Sequence, residues 1–323
     1  MSLPGDPPSG APARLPSLSA VICAYTLERW DDIQRAVQSL QAQDPPPAEV
    51  ILVSDHNDEL LDRARAAFPE VVCLPNTGTP GLSGARNTGV AAASGDVIAF
   101  LDDDAAAEPG WAAALLAPYA DESVIGVGGF VVPDWRAPRP SWFPSEFLWV
   151  VGCSYTGQPT SRARVRNPIG ANMSFRRAVF TAAGGFDPMV GRIGKDAGGC
   201  EETEFAIRAA RTGTGGHVLL EPTARCRHTV TPDRVTRRYF RRRCLAEGRS
   251  KALVSRLAGA DSALETERGY VLRTIPSGVL TGLGRLLRGD RAGGATAWAL
   301  VEGTLLTAVS YAATRVRLAR ADR

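Results

Sequence analysis

The sequence predicts an α/β protein built on a mostly parallel sheet with helices on both faces. Short apolar runs alternate with amphipathic segments from Leu18 to Leu101. Each apolar run ends in a polar cluster. The chain of 323 residues, 44% of them hydrophobic, is long enough to bury one large core and carry an appendage.

Residues 1–16, rich in Pro and Gly and lacking an apolar stretch, read as a disordered leader rather than a secretory signal. Strands are expected at Leu18–Tyr25, Glu49–Ser54, Glu70–Leu74 and Asp96–Leu101, with helices at Trp30–Ala42, Asp58–Phe68 and Ser83–Ala93. Ligands of such sheets bind outside the carboxyl ends of the strands. Thr26-Leu27-Glu28, Asp55-His56-Asn57 and Asp102-Asp103-Asp104 all follow such ends, so they are expected to share one crevice.

Beyond Trp111 the alternation loosens. Val124–Val132 and Ile169–Phe175 read as strands, the second followed by a short helix to Ala183. The stretch from Gly184 to Gly199 carries six glycines and is expected to be a mobile loop, and Cys200–Arg211 reads as a helix with acids in its first turn. A catalytic region over residues 17–232 and a basic helical region over 233–323 are the expected divisions. Six scattered cysteines with no C-x-x-C pair read as reduced core residues of a cytosolic protein.

Three adjacent carboxylates at the end of a core strand repel one another unless cations or hydrogen-bond donors neutralise them. A divalent ion is one answer; a solvated acidic turn capping the next helix is the other. In an extended segment alternate residues share a side, so Asp102 and Asp104 converge while Asp103 points elsewhere. A hard, oxygen-rich site suits Mg²⁺ or Mn²⁺.

The run into Tyr25, VILVSD into Asp55, GLSGARNTGVAAASGDVIAFLDDD, and GGF followed by GCEETEFAIRAAR together resemble the inverting nucleotide-sugar glycosyltransferases of family 2, which have the GT-A fold. The likeness runs from about Leu18 to Thr229. It implies a nucleoside-diphosphate sugar donor, a UDP-sugar being favoured, held by Ala24, Tyr25, Glu28, Asp55, Arg86, Asp102 and Asp103. It further implies Asp104 as a metal ligand in the DXD motif, with Asp102 and His228 beside it, and Glu202 as the base that takes the acceptor proton. Glu201 competes for that role. The family more often carries Asp and Gly where this chain has Ser54 and His56, and Asp where it has Glu202.

Arg237, Arg238, Arg241, Arg242 and Arg243 lie in helical sequence; Arg238, Arg241 and Arg242, with Trp135 and Asn172, are candidates for holding an acceptor or its phosphate. The Trp/Pro-rich loop after Trp135 and the Gly191–Gly199 loop are expected to shape that site. From Arg268 to Arg323 there are nine arginines and three acids. The 292–314 run has enough length to span a membrane, but its Ala, Gly, Thr and mid-run Glu302 favour a helix packed on the catalytic region or lying in the interface. The expectation is a cytoplasmic enzyme at the membrane face acting on a glycan or lipid-linked acceptor, with a soluble natural product as the alternative. No recognition module for nucleic acid accompanies the charge. A sugar nucleotidyltransferase is disfavoured because the first strand lacks a basic glycine-rich loop after it.

Overall fold

The computed structural model describes residues 15–191, 198–212, 216–260 and 264–321. Its first half realises the predicted alternation: β1 (Leu18–Ala24), α1 (Trp30–Gln41), β2 (Glu49–Ser54), α2 (Asp58–Ala67), β3 (Val72–Pro75), α3 (Leu82–Ala92) and β4 (Val97–Asp102). β1 pairs in parallel with β2 and β4, and β2 with β3. Alternation along β1 divides the interior. Leu18, Ala20 and Ile22 pack with Ile33, Val37 and Leu40 of α1 on one face, whereas Val21 joins Ile51, Ile98 and Phe100 on the other.

The second half extends this sheet with mixed pairing. After β5 (Ala105–Ala107), α4 (Trp111–Leu116) and β6 (Val124–Trp135) come β7 (Ala163–Val165), β8 (Asn172–Arg176), α5 (Arg177–Ala183), α6 (Glu201–Ala210) and β9 (His217–Val230). The strand order is β3-β2-β1-β4-β8-β6-β9-β5, with β7 on β9. β8 is antiparallel to both β4 and β6, so the sheet departs from the parallel expectation here.

β9 was not legible as one long strand, because Pro222 removes a backbone donor and signals a break. The structure keeps the strand by bulging it: pairing with β6 jumps from Gly129↔Glu221 to Phe130↔Arg225. Beyond the bulge β9 is antiparallel to β5, which sets His228 opposite Ala105, next to the acidic triplet.

α7 (Arg237–Ala258) begins at a Thr236 cap whose side chain accepts from Tyr239 N. A helix at Ile275–Leu287 and a C-terminal helix at Arg291–Ala321 follow. Gly248 of α7 packs directly on the backbone of the C-terminal helix, and a Cβ there would meet Ser310 Cβ at 2.8 Å. Gly303 lies against Phe147 and Phe240. The C-terminal helix is therefore packed on α7 and on the 3-10 turn Ser145–Val151 that carries Phe147, and among the described residues no helix is long and apolar enough to cross a membrane. Residues 192–197 of the glycine-rich loop lie outside the described residues.

Candidate active site

The acidic triplet sits in the turn between β4 and β5, at the carboxyl end of the sheet. Asp102 is half-buried, and Asp103 and Asp104 are buried. His228 Nε2 lies 3.0 Å from Asp104 Oδ1 and 4.0 Å from Asp102 Oδ2, and one ligand atom from each of the three lies within 4.8 Å of the others. Two carboxylates and an imidazole at that spacing form a donor set suited to a divalent ion. A further opening is the buried Asp103 Oδ2, which has no hydrogen-bond partner.

Repulsion among the carboxylates does not by itself require a metal, because two arginines that sequence reasoning missed also neutralise them. Arg29 Nη1 lies 2.7 Å from Asp103 and 3.3 Å from Asp104, and Arg234 Nη2 donates to Asp104 Oδ2 at 3.0 Å. Burial pushes the Asp103 carboxyl up, against the pull of Arg29, to about 6. Burial acts the same way on Asp104, but His228 and Arg234 outweigh it and hold that carboxyl well below the usual range. His228, although buried, is held well above the ordinary imidazole value by Asp104. Arg29 could have been found by applying the strand-end rule one residue past Glu28; nothing local marks Arg234.

The cleft around this cluster is lined by Ala24, Tyr25, Asp55 and Gly152, and from α7 by Tyr239 and Arg243. Asp55 Oδ1 accepts from Asn76 Nδ2 at 2.6 Å and Oδ2 from Gly81 N at 2.9 Å. Each oxygen retains a lone pair for another donor. His56 follows at φ 52°, a left-handed conformation that turns the chain sharply beyond β2. Glu28 is exposed in the turn after β1 and does not line the cleft.

Arg86, expected to meet base or diphosphate, is instead 2% exposed and held internally. Its Nη1 donates to Glu201 Oε1 at 2.6 Å and its Nη2 to the Gly170 carbonyl at 3.0 Å, with Asp102 Oδ1 at 3.5 Å. It thus links the acidic pair of α6 to the triplet of β4. Glu201 is buried by this pairing, whereas Glu202 is half-buried and accepts from Thr203 Oγ1 at 3.2 Å. Burial, reinforced by Glu201, pushes the Glu202 carboxyl up to about 8.

Several acceptor candidates are not brought to this cleft. Asn172 is fully buried: its amide donates to the Ala224 carbonyl at 2.9 Å and accepts from Trp111 Nε1 at 2.8 Å, which makes it a brace between strands. Trp135 packs edge-to-face on Phe143. Arg238, Arg241 and Arg242 are exposed; Arg241 Nε donates to Glu302 at 2.7 Å, and Arg242 lies over the Tyr239 ring. Helical spacing explains the difference, because Tyr239 and Arg243 share the inward face of α7 and those three arginines do not.

Residues 19–183 match the model of glycosyl transferase family 2. A glucosyl-dolichyl phosphate glucuronosyltransferase of Haloferax volcanii is 37% identical over 244 residues, 74% of this chain and 78% of that protein. Polypeptide N-acetylgalactosaminyltransferase 15 of Mus musculus is 28% identical over 236 residues, and there the match spans only 36% of the relative. Among solved structures, a mannosyltransferase from Pyrobaculum calidifontis in complex with GDP-Man and Mn²⁺ superposes with a TM-score of 0.60 at 18% identity, covering 95% of this chain and 90% of that one. GalNAc-T7 with UDP, GalNAc and Mn²⁺ gives 0.52 at 20% identity, covering 73% and 48%.

Proposed function

The chain belongs to glycosyl transferase family 2, has the GT-A fold and uses a nucleotide-sugar donor, and from this we propose that it is a metal-dependent inverting enzyme acting on a lipid-linked sugar. The observation that carries the reading is the cluster of Asp102, Asp104 and His228 in the same cleft as Asp55.

Asp102, Asp104 and His228 would hold Mg²⁺ or Mn²⁺, which when bound supplies positive charge for the leaving diphosphate. Asp55, with Ala24 and Tyr25, forms the nucleotide end, where a carboxylate accepts from a donor on the base; a UDP-sugar is the favoured donor. Arg86 fixes the first turn of α6 by holding Glu201. That leaves Glu202 as the base. As the acceptor oxygen bonds to the anomeric carbon and the bond to the diphosphate breaks on the opposite face, Glu202 takes the hydroxyl proton and the nucleoside diphosphate departs. One displacement inverts the anomeric centre.

The lipid-linked acceptor is supported by the Haloferax relative's name and by large apolar side chains left exposed on the C-terminal helices, among them Leu280, Leu287, Trp298, Leu305 and Val309. Such helices suit peripheral contact with a bilayer.

The test is nucleoside diphosphate release from UDP- and GDP-sugars, with and without chelator, in detergent with a polyprenyl-phosphate-borne sugar or a soluble glycoside as acceptor. Chelator-sensitive transfer to the lipid-borne sugar, with inverted anomeric configuration, is expected. A retained linkage overturns the single displacement, and exclusive transfer to the soluble acceptor overturns the lipid reading.

A further inference from the structure

A second basin, of about 790 Å³, opens away from the catalytic cleft and shares no lining residue with it. The two lie at opposite ends of the 3-10 turn Ser145–Val151: Ser145 and Glu146 border the basin, while Val150 and Val151 border the cleft. The far wall of the basin is the Ile275–Leu287 helix with the turn before it. Arg273, Ser277, Thr281 and Arg285, spaced by four, present one face of that wall to the basin. Arg139 and Thr296 approach from elsewhere in the fold.

The same segment has an apolar side left uncovered. Leu272 is 74% exposed, Leu280 69% and Leu287 89%, and Trp298 of the neighbouring helix is 60% exposed. The two helices meet through small residues, with a Cβ on Gly282 coming within 2.7 Å of the Gly293 carbonyl oxygen. This close approach puts both apolar rows on adjoining helices. An apolar surface of this kind, rimmed by polar residues, marks an interaction site.

The basin's charges are three guanidiniums and one carboxylate. Arg285 is shared with Asp290 at 2.7 Å on the exposed side, and Glu146 accepts from Ser145 Oγ at 3.2 Å. Arg139 donates to the Phe143 carbonyl, which fixes its position. Around them stand the hydroxyls of Ser141, Thr156 and Ser277, while those of Thr281 and Thr296 donate to the Ser277 and Ala292 carbonyls of their own helices. Guanidinium and hydroxyl donors beside an apolar face match a molecule that is anionic at one end and hydrocarbon at the other.

We propose that the basin is a binding site for the phosphate-bearing headgroup of a membrane lipid of net negative charge, whose hydrocarbon lies along the Leu272, Leu280 and Leu287 face. The inference rests on the interfacial reading of the C-terminal helices and adds the site that selects the lipid. The Ile275–Leu287 helix then has two duties: its leucines enter the apolar layer, and its arginines and hydroxyls grip the headgroup at the boundary.

Flotation of the full chain with phosphatidylcholine vesicles, with or without matched phosphatidylglycerol, tests this. Wild type is expected to float mainly with the anionic vesicles. Thr281→Trp removes no charge but fills the basin at an exposed position, and is expected to weaken that binding about tenfold. Arg273→Ala should weaken it several-fold more than Arg320→Ala, which removes the same charge from the last turn of the C-terminal helix. Equal effects of the two arginine changes, or no effect of Thr281→Trp in protein of unchanged melting temperature, would show diffuse attraction and overturn the proposal. Saturable binding of glycerol 3-phosphate without lipid, combined with vesicle binding insensitive to Thr281→Trp, would assign the basin to a soluble anion and also overturn it. Leu280→Asp should abolish flotation; if it instead abolishes a dimer in solution, the face belongs to a second copy and the proposal fails. Transfer to a detergent-dispersed acceptor is measured separately, so loss of the headgroup site leaves the proposed reaction standing.

Discussion

Arg86 and Glu201 form a buried ion pair, Nη1 to Oε1 at 2.6 Å, that ties α3 to the first turn of α6. Removing one member of such a pair strands the other charge in a low-dielectric interior and typically costs about 3–5 kcal/mol. Arg86→Met should therefore lower stability by roughly that amount. Urea unfolding measures it; a loss under about 1 kcal/mol would mean the pair does not hold α6 in place.

Glu202→Gln should retain donor binding and lose transfer by about 10²–10⁴-fold, the effect of a removed general base. Calorimetric donor titration beside single-turnover transfer separates the two. If Glu201→Gln is inert while Glu202→Gln remains active, the catalytic assignment moves one residue back along α6.

The pH dependence follows from the same carboxyl. A base with a pKa near 8 is mostly protonated at pH 6, so the transfer rate should rise with pH up to about 8 and then level off. The linkage to stability has the opposite sense. Because the folded value exceeds the ordinary carboxyl value of 4.5, the folded state binds the extra proton between the two. Glu202's contribution is fully favourable below about 4.5 and is lost as pH rises through about 8. Glu202→Gln should remove that slope, as melting curves across the range will show.

Mn²⁺ should raise the melting temperature of the wild-type chain, with chelator reversing the shift. Saturation at a hundred times the dissociation constant corresponds to about 2.7 kcal/mol. Asp104→Asn and His228→Ala should each reduce the shift markedly. An unchanged Mn²⁺ response in both variants would place the ion elsewhere.

The first half, β1 to β4, was legible because local patterns determine it: alternating apolar runs fixed β1, β2 and β4, and the strand-end rule gathered Asp55 and the acidic triplet. The contacts that tie this half to the mixed-pairing half of the sheet leave little local trace. Asn172 reads as an acceptor ligand until Trp111 and the Ala224 carbonyl of β9 are seen to take its amide, and Arg86 reads as a base or diphosphate contact until α6 brings Glu201 to it. Glu302, which argued against a membrane span, proves to be the partner of Arg237 and Arg241, a pairing between distant helices that no periodicity reveals.

The bulged β9 also sets a condition on biosynthesis. As the chain leaves the ribosome, Asp102, Asp103 and Asp104 emerge with Arg29 already present, but His228 and Arg234 are delivered only when β9 and the turn after it have been made. A product that stops short of that point has Arg29 but neither His228 nor Arg234 to set beside its carboxylates, and it lacks one member of the candidate metal cluster. A premature stop before His228 should therefore abolish the proposed metal binding, since the cluster of Asp102, Asp104 and His228 is not complete until β9 has been made.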